Sequence, residues 1–187
     1  MTRLARGAAI AALAGLLLAG IAAGFDLAAF FRGWLAAFFA FAAIPIGALA
    51  VLFMGRLVPG DWAEELAPAL WGGSALLPVI AVLLLPVLLG VAWIYPWAAS
   101  PPEGTKAFVM TVPLFVLRGI VYVALWSALA FAWRRSPSAA TASAGLIIWA
   151  IVGCLAGIDW SLSVEPEFHS SIFGLFALAH FLIAGPA

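Results

Sequence analysis

Sulfur, histidine and charge are all scarce in this chain. Its 187 residues include one cysteine, Cys154, and two histidines, His169 and His180. A disulfide within the chain is therefore excluded, and so is a thiolate-held metal cluster. Cys154, inside an apolar run, reads as a small packing residue. Acids and bases number eight each, so the formal net charge is zero and no basic field exists to draw nucleic acid. A nucleotide-binding loop, a catalytic triad and metal-ligand spacing are also missing, so no catalytic residue and no metal site is assigned. What fills the sequence instead is apolar: 67% of residues are hydrophobic and 9% charged, with a mean hydropathy of +1.21. A soluble domain of this size has too little interior to hide that much hydrocarbon, and the chain reads as an integral membrane protein.

Six stretches, roughly 7–24, 33–56, 73–95, 107–133, 143–160 and 166–185, each approach the roughly 20 apolar residues that a helix needs to cross a bilayer. The expected fold is all-α: a single transmembrane helical domain over 1–187, a bundle of about six helices, several of them proline-kinked. Arg3 and Arg6 followed by an Ala/Leu run to Gly24 resemble a secretory signal, with small residues at Ala22 and Gly24; a signal anchor kept as the first span is the expectation. With the amino terminus cytoplasmic, Arg3, Arg6, Arg56, Arg134 and Arg135 lie inside and only Arg32 and Lys106 outside, which is the favoured bias.

Pro45, Pro78, Pro86 and Pro113 fall inside the spans, and each would remove a helix bond and free a carbonyl four residues earlier. Kinks are expected in spans two, three and four, where they either make room for a cofactor or quinone or only tune packing. Between spans two and three, Trp62, Leu66, Leu70 and Trp71 interleave with Asp61, Glu64 and Glu65. That is an interfacial amphipathic segment, or a plain loop if Pro68 interrupts the helix. Gly153 and Gly157, like Ala36 and Ala40, fit a small-xxx-small spacing, which arises easily in an alanine-rich chain and carries little weight. Nine tryptophans suit indoles lining two interfaces.

Polarity gathers in residues 157–174, GIDWSLSVEPEFHSSIFG, which hold Asp159, Glu165, Glu167 and His169. Asp159 and Trp160 close one helix, with the indole at headgroup level. Pro166 fits the first position of the next, putting Glu167 in its first turn, where the helix dipole favours an anion. Ionisable groups at the edge of an apolar segment must be solvated, paired or used. The stretch is therefore either a functional cluster on the predicted outer side, together with Asp26 and Glu103, or a solvated loop with a good helix start.

Arg118 is the deepest charge. It lies about eleven residues from the outer start of span four near Ala107, roughly 16 Å along the helix and close to the midplane. Insertion there costs at least about 2.5 kcal/mol, so an acid or backbone carbonyls must meet it. Asp159, on the other arm of the hairpin, is the nearest candidate. Its shallower expected depth points to a water-mediated link rather than a direct salt bridge. The competing reading has Arg118 clamping irregular backbone near Pro113. Tyr122 and Trp126 follow at four-residue intervals on the same face. On a helix beginning at Pro166, His169 and His180 would lie roughly 16 Å apart, too far to share one iron. One-histidine haem ligation would need a partner, and His180 reads as a hydrogen-bonded interhelix residue.

Four stretches in order carry a family resemblance: Gly60-Asp61-Trp62; Leu77-Pro78 through Leu85-Pro86 to Tyr95-Pro96-Trp97; Pro113, Phe115, Arg118, Tyr122 and Trp126; and Ile158-Asp159-Trp160, Ser163, Glu165-Pro166 and Ser170 to Gly174. Together these resemble the ActF-type membrane subunit of alternative complex III, the bacterial quinol:cytochrome c oxidoreductase, and through it the NrfD-type quinone-reactive proteins. The resemblance runs from span two to span six and corresponds to about half of a family member. Where the family tends to carry a histidine directly after Glu-Pro, this chain has Glu167, with His169 two positions on.

The resemblance implies a multi-pass subunit of a bacterial inner membrane respiratory chain, active in electron transport and proton translocation within a larger assembly. It would hold no redox centre of its own and would not be catalytic by itself. It would bind no cofactor by itself, although a quinone could sit against it; haem c and iron-sulfur clusters would sit in periplasmic partner subunits, with other membrane subunits and lipid alongside. Arg118, Tyr122, Asp159, Glu165 and His169 are the candidates for a quinone-facing or proton-conducting cavity. The alternative is a structural or accessory subunit that stabilises a respiratory or photosynthetic complex. A small transporter is a third reading, but the inverted repeat expected of one is not visible between residues 1–95 and 96–187.

Overall fold

The computed structural model describes residues 3–58 and 60–186, the side chains of part of the first helix and of Thr105 excepted. The expected inward placement of Arg3 concerns a side chain outside that set. Among the described residues every regular element is helical. The first helix, α1 (Arg3–Phe25), covers the first expected span, and Asp26 separates it from α2 (Leu27–Leu57). Asp26 is the N-cap of α2, its carboxylate accepting from the Ala29 amide at 2.9 Å.

The centre of the bundle is α2. Ala42, Ala43 and every residue from Pro45 to Ala50 are buried, which covers all sides of the helix, as expected of a helix surrounded by others. It packs against α1, α3 (Asp61–Ser74), α4 (Leu77–Leu89), α5 (Val91–Ile94), α9 (Ala139–Trp160) and α10 (Phe173–Ala184). Gly47 and Gly185 set the tightest of these contacts: a Cβ on Gly47 would collide with the Phe181 backbone, and one on Gly185 with the Gly47 backbone. The Gly153/Gly157 spacing turns out to matter. Both glycines face α10, where a Cβ on Gly157 would strike Ala177.

Among the described residues, three helices are long and apolar enough to cross a membrane: α2, α8 (Val112–Arg135), and α9 continued by a single 3-10 turn to Val164. A fourth crossing is available if α3 and α4, bent by 41° at Ala75 and Leu76, act as one broken span. The short α10, with 12 residues, is apolar but spans only about 18 Å. The chain is thus all-α with transmembrane character.

The prolines behave differently from one another. Pro45, Pro68 and Pro86 lie inside helices, whereas Pro78 and Pro113 occupy the first turns of α4 and α8. An amide is not needed there, so neither frees a carbonyl. The break in span four comes just before Pro113: α7 (Thr105–Val109) ends, Thr111 turns extended, and α8 starts again at Val112. Span three is divided at Ala75–Leu76 and at Gly90, and the extended Tyr95 ends it ahead of α6 (Pro96–Ala99). Pro68 does not abolish the segment after span two, which is the helix α3 with Trp62 and Trp71 partly exposed and Leu70 buried.

Tryptophan placement departs from the expected belts. Trp97, Trp126, Trp133, Trp149 and Trp160, five of the nine, are core residues. Two indoles donate to backbone carbonyls across helices: Trp149 Nε1 to Ile46, next to Pro45, and Trp34 Nε1 to Leu83, in the turn before Pro86, each at 2.9 Å.

Candidate functional site

The site forms where the start of α8 meets the end of α9. Phe115, Gly119, Tyr122 and Trp126 follow the helical repeat and turn one face of α8 inward, and Arg118 lies beside them. On α9 the inward face ends with Ala156, Gly157 and Trp160, so Asp159 projects from the last turn towards α8. A carboxylate there sits at the negative end of a helix dipole, an unfavourable position unless a cation answers it.

Arg118 does so directly. Its Nε donates to Asp159 Oδ2 at 2.6 Å and its Nη2 to Oδ1 at 3.0 Å, a bidentate pair whose side chains are 24% and 14% exposed. Tyr122 donates its hydroxyl to Oδ2 at 2.6 Å. The expected water-mediated link is therefore replaced by contact. The depth argument failed because α8 begins at Val112 rather than Ala107. Arg118 is six residues into the helix, roughly 9 Å, and level with Asp159. The clamp reading is also realised: Arg118 Nη1 donates to the Val109 carbonyl at 3.0 Å, holding the frayed end of α7 across the break.

Residues 161–172 do not continue as the expected helix. Pro166 and Glu167 lie in turns, and α10 starts only at Phe173. Ser163, four residues after Asp159, gives its hydroxyl to the Asp159 carbonyl, which supports a tight 3-10 turn at Leu162–Val164. Lys106 then reaches across from α7, donating from Nζ to the Pro166 carbonyl at 2.7 Å and sitting 2.9 Å from His169 Nε2. With that carbonyl committed to Lys106, Pro166 is a loop anchor and not a helix start. His169 and His180 accordingly lie on different elements. His180 stacks on Phe39 of α2, centroids 5.3 Å apart, and its Nε2 is buried with no hydrogen-bond partner, so its interhelix contact is aromatic.

Trp160 is fully buried, packed edge-on to Phe38, Tyr122 and Trp126 inside the bundle. Its carbonyl accepts from the Tyr95 hydroxyl at 3.0 Å, and Tyr95 in turn packs on Trp97 and Phe115. Of the sequence candidates, Arg118, Tyr122 and Asp159 meet in one cluster. Glu165 and His169 sit apart from it on the exposed loop. Glu165 lines an open groove of about 780 Å³ with Trp97, Glu103, Lys106 and Glu167. Ser163, Lys106 and Tyr95 were not singled out as site residues. Only the four-residue step from Asp159 to Ser163 was a readable signal.

Among the described residues no group of three or more His, Cys, Asp or Glu side chains is placed to hold a metal ion. Fold and site define a helical protein of membrane type, with a half-buried arginine–aspartate–tyrosine cluster and a solvent-open acidic groove. No protein-family model matches the chain, and no curated protein proves similar to it.

Proposed function

We propose that this chain is a membrane subunit of a quinol-oxidising respiratory electron-transfer complex, similar to alternative complex III, and that it borders a quinone or proton pathway without a redox centre of its own. One observation carries the reading. Three of the four stretches that resemble the ActF-type family, far apart in sequence, converge on one cluster: Tyr95 with Trp97, Phe115 with Arg118, Tyr122 and Trp126, and Asp159 with Trp160 and Ser163. Residues scattered over three elements and acting as a unit are what a shared site requires.

In this reading the chain crosses a bacterial inner membrane about six times, with its amino terminus in the cytoplasm. That reading rests on the arginine bias, with Arg56 bordering one groove beside Trp133 from the end of α8, and Lys106, six residues before the start of α8, bordering another with Glu103 and Glu165. The acidic groove would face the periplasmic haem c and iron-sulfur partners. Glu165, with Glu103 and Glu167, presents carboxylates to water there, and the Arg118–Asp159 pair holds the end of α9 from which that loop departs.

The structural reading has its own observation: both Asp159 oxygens are occupied by protein donors. An accessory subunit that only stabilises its neighbours would need no more. Quinol oxidation by the intact complex after Glu165→Gln, Asp159→Asn and Arg118→Ala separates the two. Lost turnover in an assembled complex supports the pathway. Full turnover in all three variants removes the pathway and leaves the accessory role.

A further inference from the structure

A further groove, of about 380 Å³, runs along α2, with Ser161 and Val164 at its edge. Leu35, Ala36, Phe39 and Ala40 form one wall, and Trp160 and His180 stand opposite. Arg32 is at its mouth, exposed, and among the described residues makes no ion pair. It lies one and a half turns past the Asp26 cap, roughly 9 Å into the helix, and Phe39 is about two turns deeper, roughly 10 Å further. An arginine exposed on the outer turns of a membrane helix cannot leave its charge in hydrocarbon. The side chain extends towards the headgroup layer and takes an anion there.

We infer that this groove seats a phospholipid, its phosphodiester against Arg32 and one acyl chain lying along Leu35, Ala36, Phe39 and Ala40. Charge and shape agree. The cation stands at the rim, and the wall below it is apolar for the length of α2 that the groove follows. With no carboxylate paired to Arg32, the site carries net positive charge and favours an anionic headgroup over a zwitterionic one. The flat Phe39–His180 stack forms the floor against which the chain lies. The inference concerns residues of α2 that line neither the acidic groove nor the Arg118 pair, and it stands whether or not the chain joins an electron-transfer complex.

Native mass spectrometry of the full chain in detergent tests it, with phosphatidylglycerol, phosphatidylcholine and inorganic phosphate as probes. Phosphatidylglycerol is expected to be retained about fivefold better than phosphatidylcholine, the discrimination one basic group gives at an anionic surface. Arg32→Gln abolishes that preference. Ala36→Trp, at an exposed position on the groove wall, keeps the charge and lowers retention of both lipids. Inorganic phosphate does not displace the lipid. Equal retention of the two lipids, a preference that survives Arg32→Gln, retention untouched by Ala36→Trp, displacement by phosphate, or a co-extracted isoprenoid quinone in place of the lipid would each overturn the assignment.

Discussion

Arg118 and Asp159, on adjacent helices and 41 residues apart, join in a bidentate ion pair that also ties down the end of α7. A largely buried pair of this kind adds little over a well-packed apolar pair, yet removing one partner leaves a charge without an answer. Asp159→Asn and Arg118→Met are each expected to destabilise the chain by about 3 kcal/mol. The double variant should recover at least about 1 kcal/mol of the summed loss. Thermal unfolding of all four proteins in one detergent measures the coupling; strictly additive losses would contradict it.

Backbone contact between α2 and α10 depends on two glycines. Gly47→Ala drives a methyl group into the Phe181 backbone and is expected to cost about 3 kcal/mol or more, because backbone cannot step aside as a side chain can. Gly119→Ala is the control on α8. There a Cβ would meet Leu88 at 3.4 Å and Leu84 at 3.6 Å, ordinary contacts, and the gain in helix propensity should raise stability by up to about 1 kcal/mol. Equal losses in the two variants would mean that the close approach of α2 and α10 is misplaced.

Only part of this architecture was legible beforehand. Apolar runs of the right length and the Arg118/Tyr122/Trp126 spacing identified the all-α class, the long helices α2, α8 and α9, and the inward face of α8, because both signals are local periodicities. The breaks at Met110–Thr111 and Tyr95 were not legible. Each depends on where a proline falls within its helix, and the same residue that kinks an interior serves as a first-turn residue at a start. That error displaced Arg118 in depth and made its partner look out of reach. Trp160 was assigned to the interface for a related reason: an indole at a helix end looks the same in sequence whether it faces headgroups or the Phe38–Trp126 core.

The loop at 161–172 is held by Lys106 through the Pro166 carbonyl and His169. Lys106→Met should release it, raising amide hydrogen exchange across residues 162–172 by about fivefold, the change expected for loss of roughly 1 kcal/mol of hydrogen bonding. Exchange in α9 should stay unchanged. Unaltered exchange in the loop would show that its turns stand without α7.

Trp149 spans from α9 to the Ile46 carbonyl beside Pro45. Trp149→Phe keeps most of the ring and loses the donor, so about 1 kcal/mol of stability should go with the hydrogen bond and a further part with the smaller side chain. A loss below about 0.5 kcal/mol would indicate that the Ile46 carbonyl is satisfied by its own helix alone.

Membership of an electron-transfer assembly is tested most directly by purifying the tagged chain from its native membranes in mild detergent. Co-purifying subunits should then be identified and the spectrum of the preparation read for haem c. The expected result is a complex containing haem c and iron-sulfur proteins that oxidises quinol. Recovery of the chain by itself, or together with light-harvesting or solute-transport proteins and no quinol oxidation, would contradict the account.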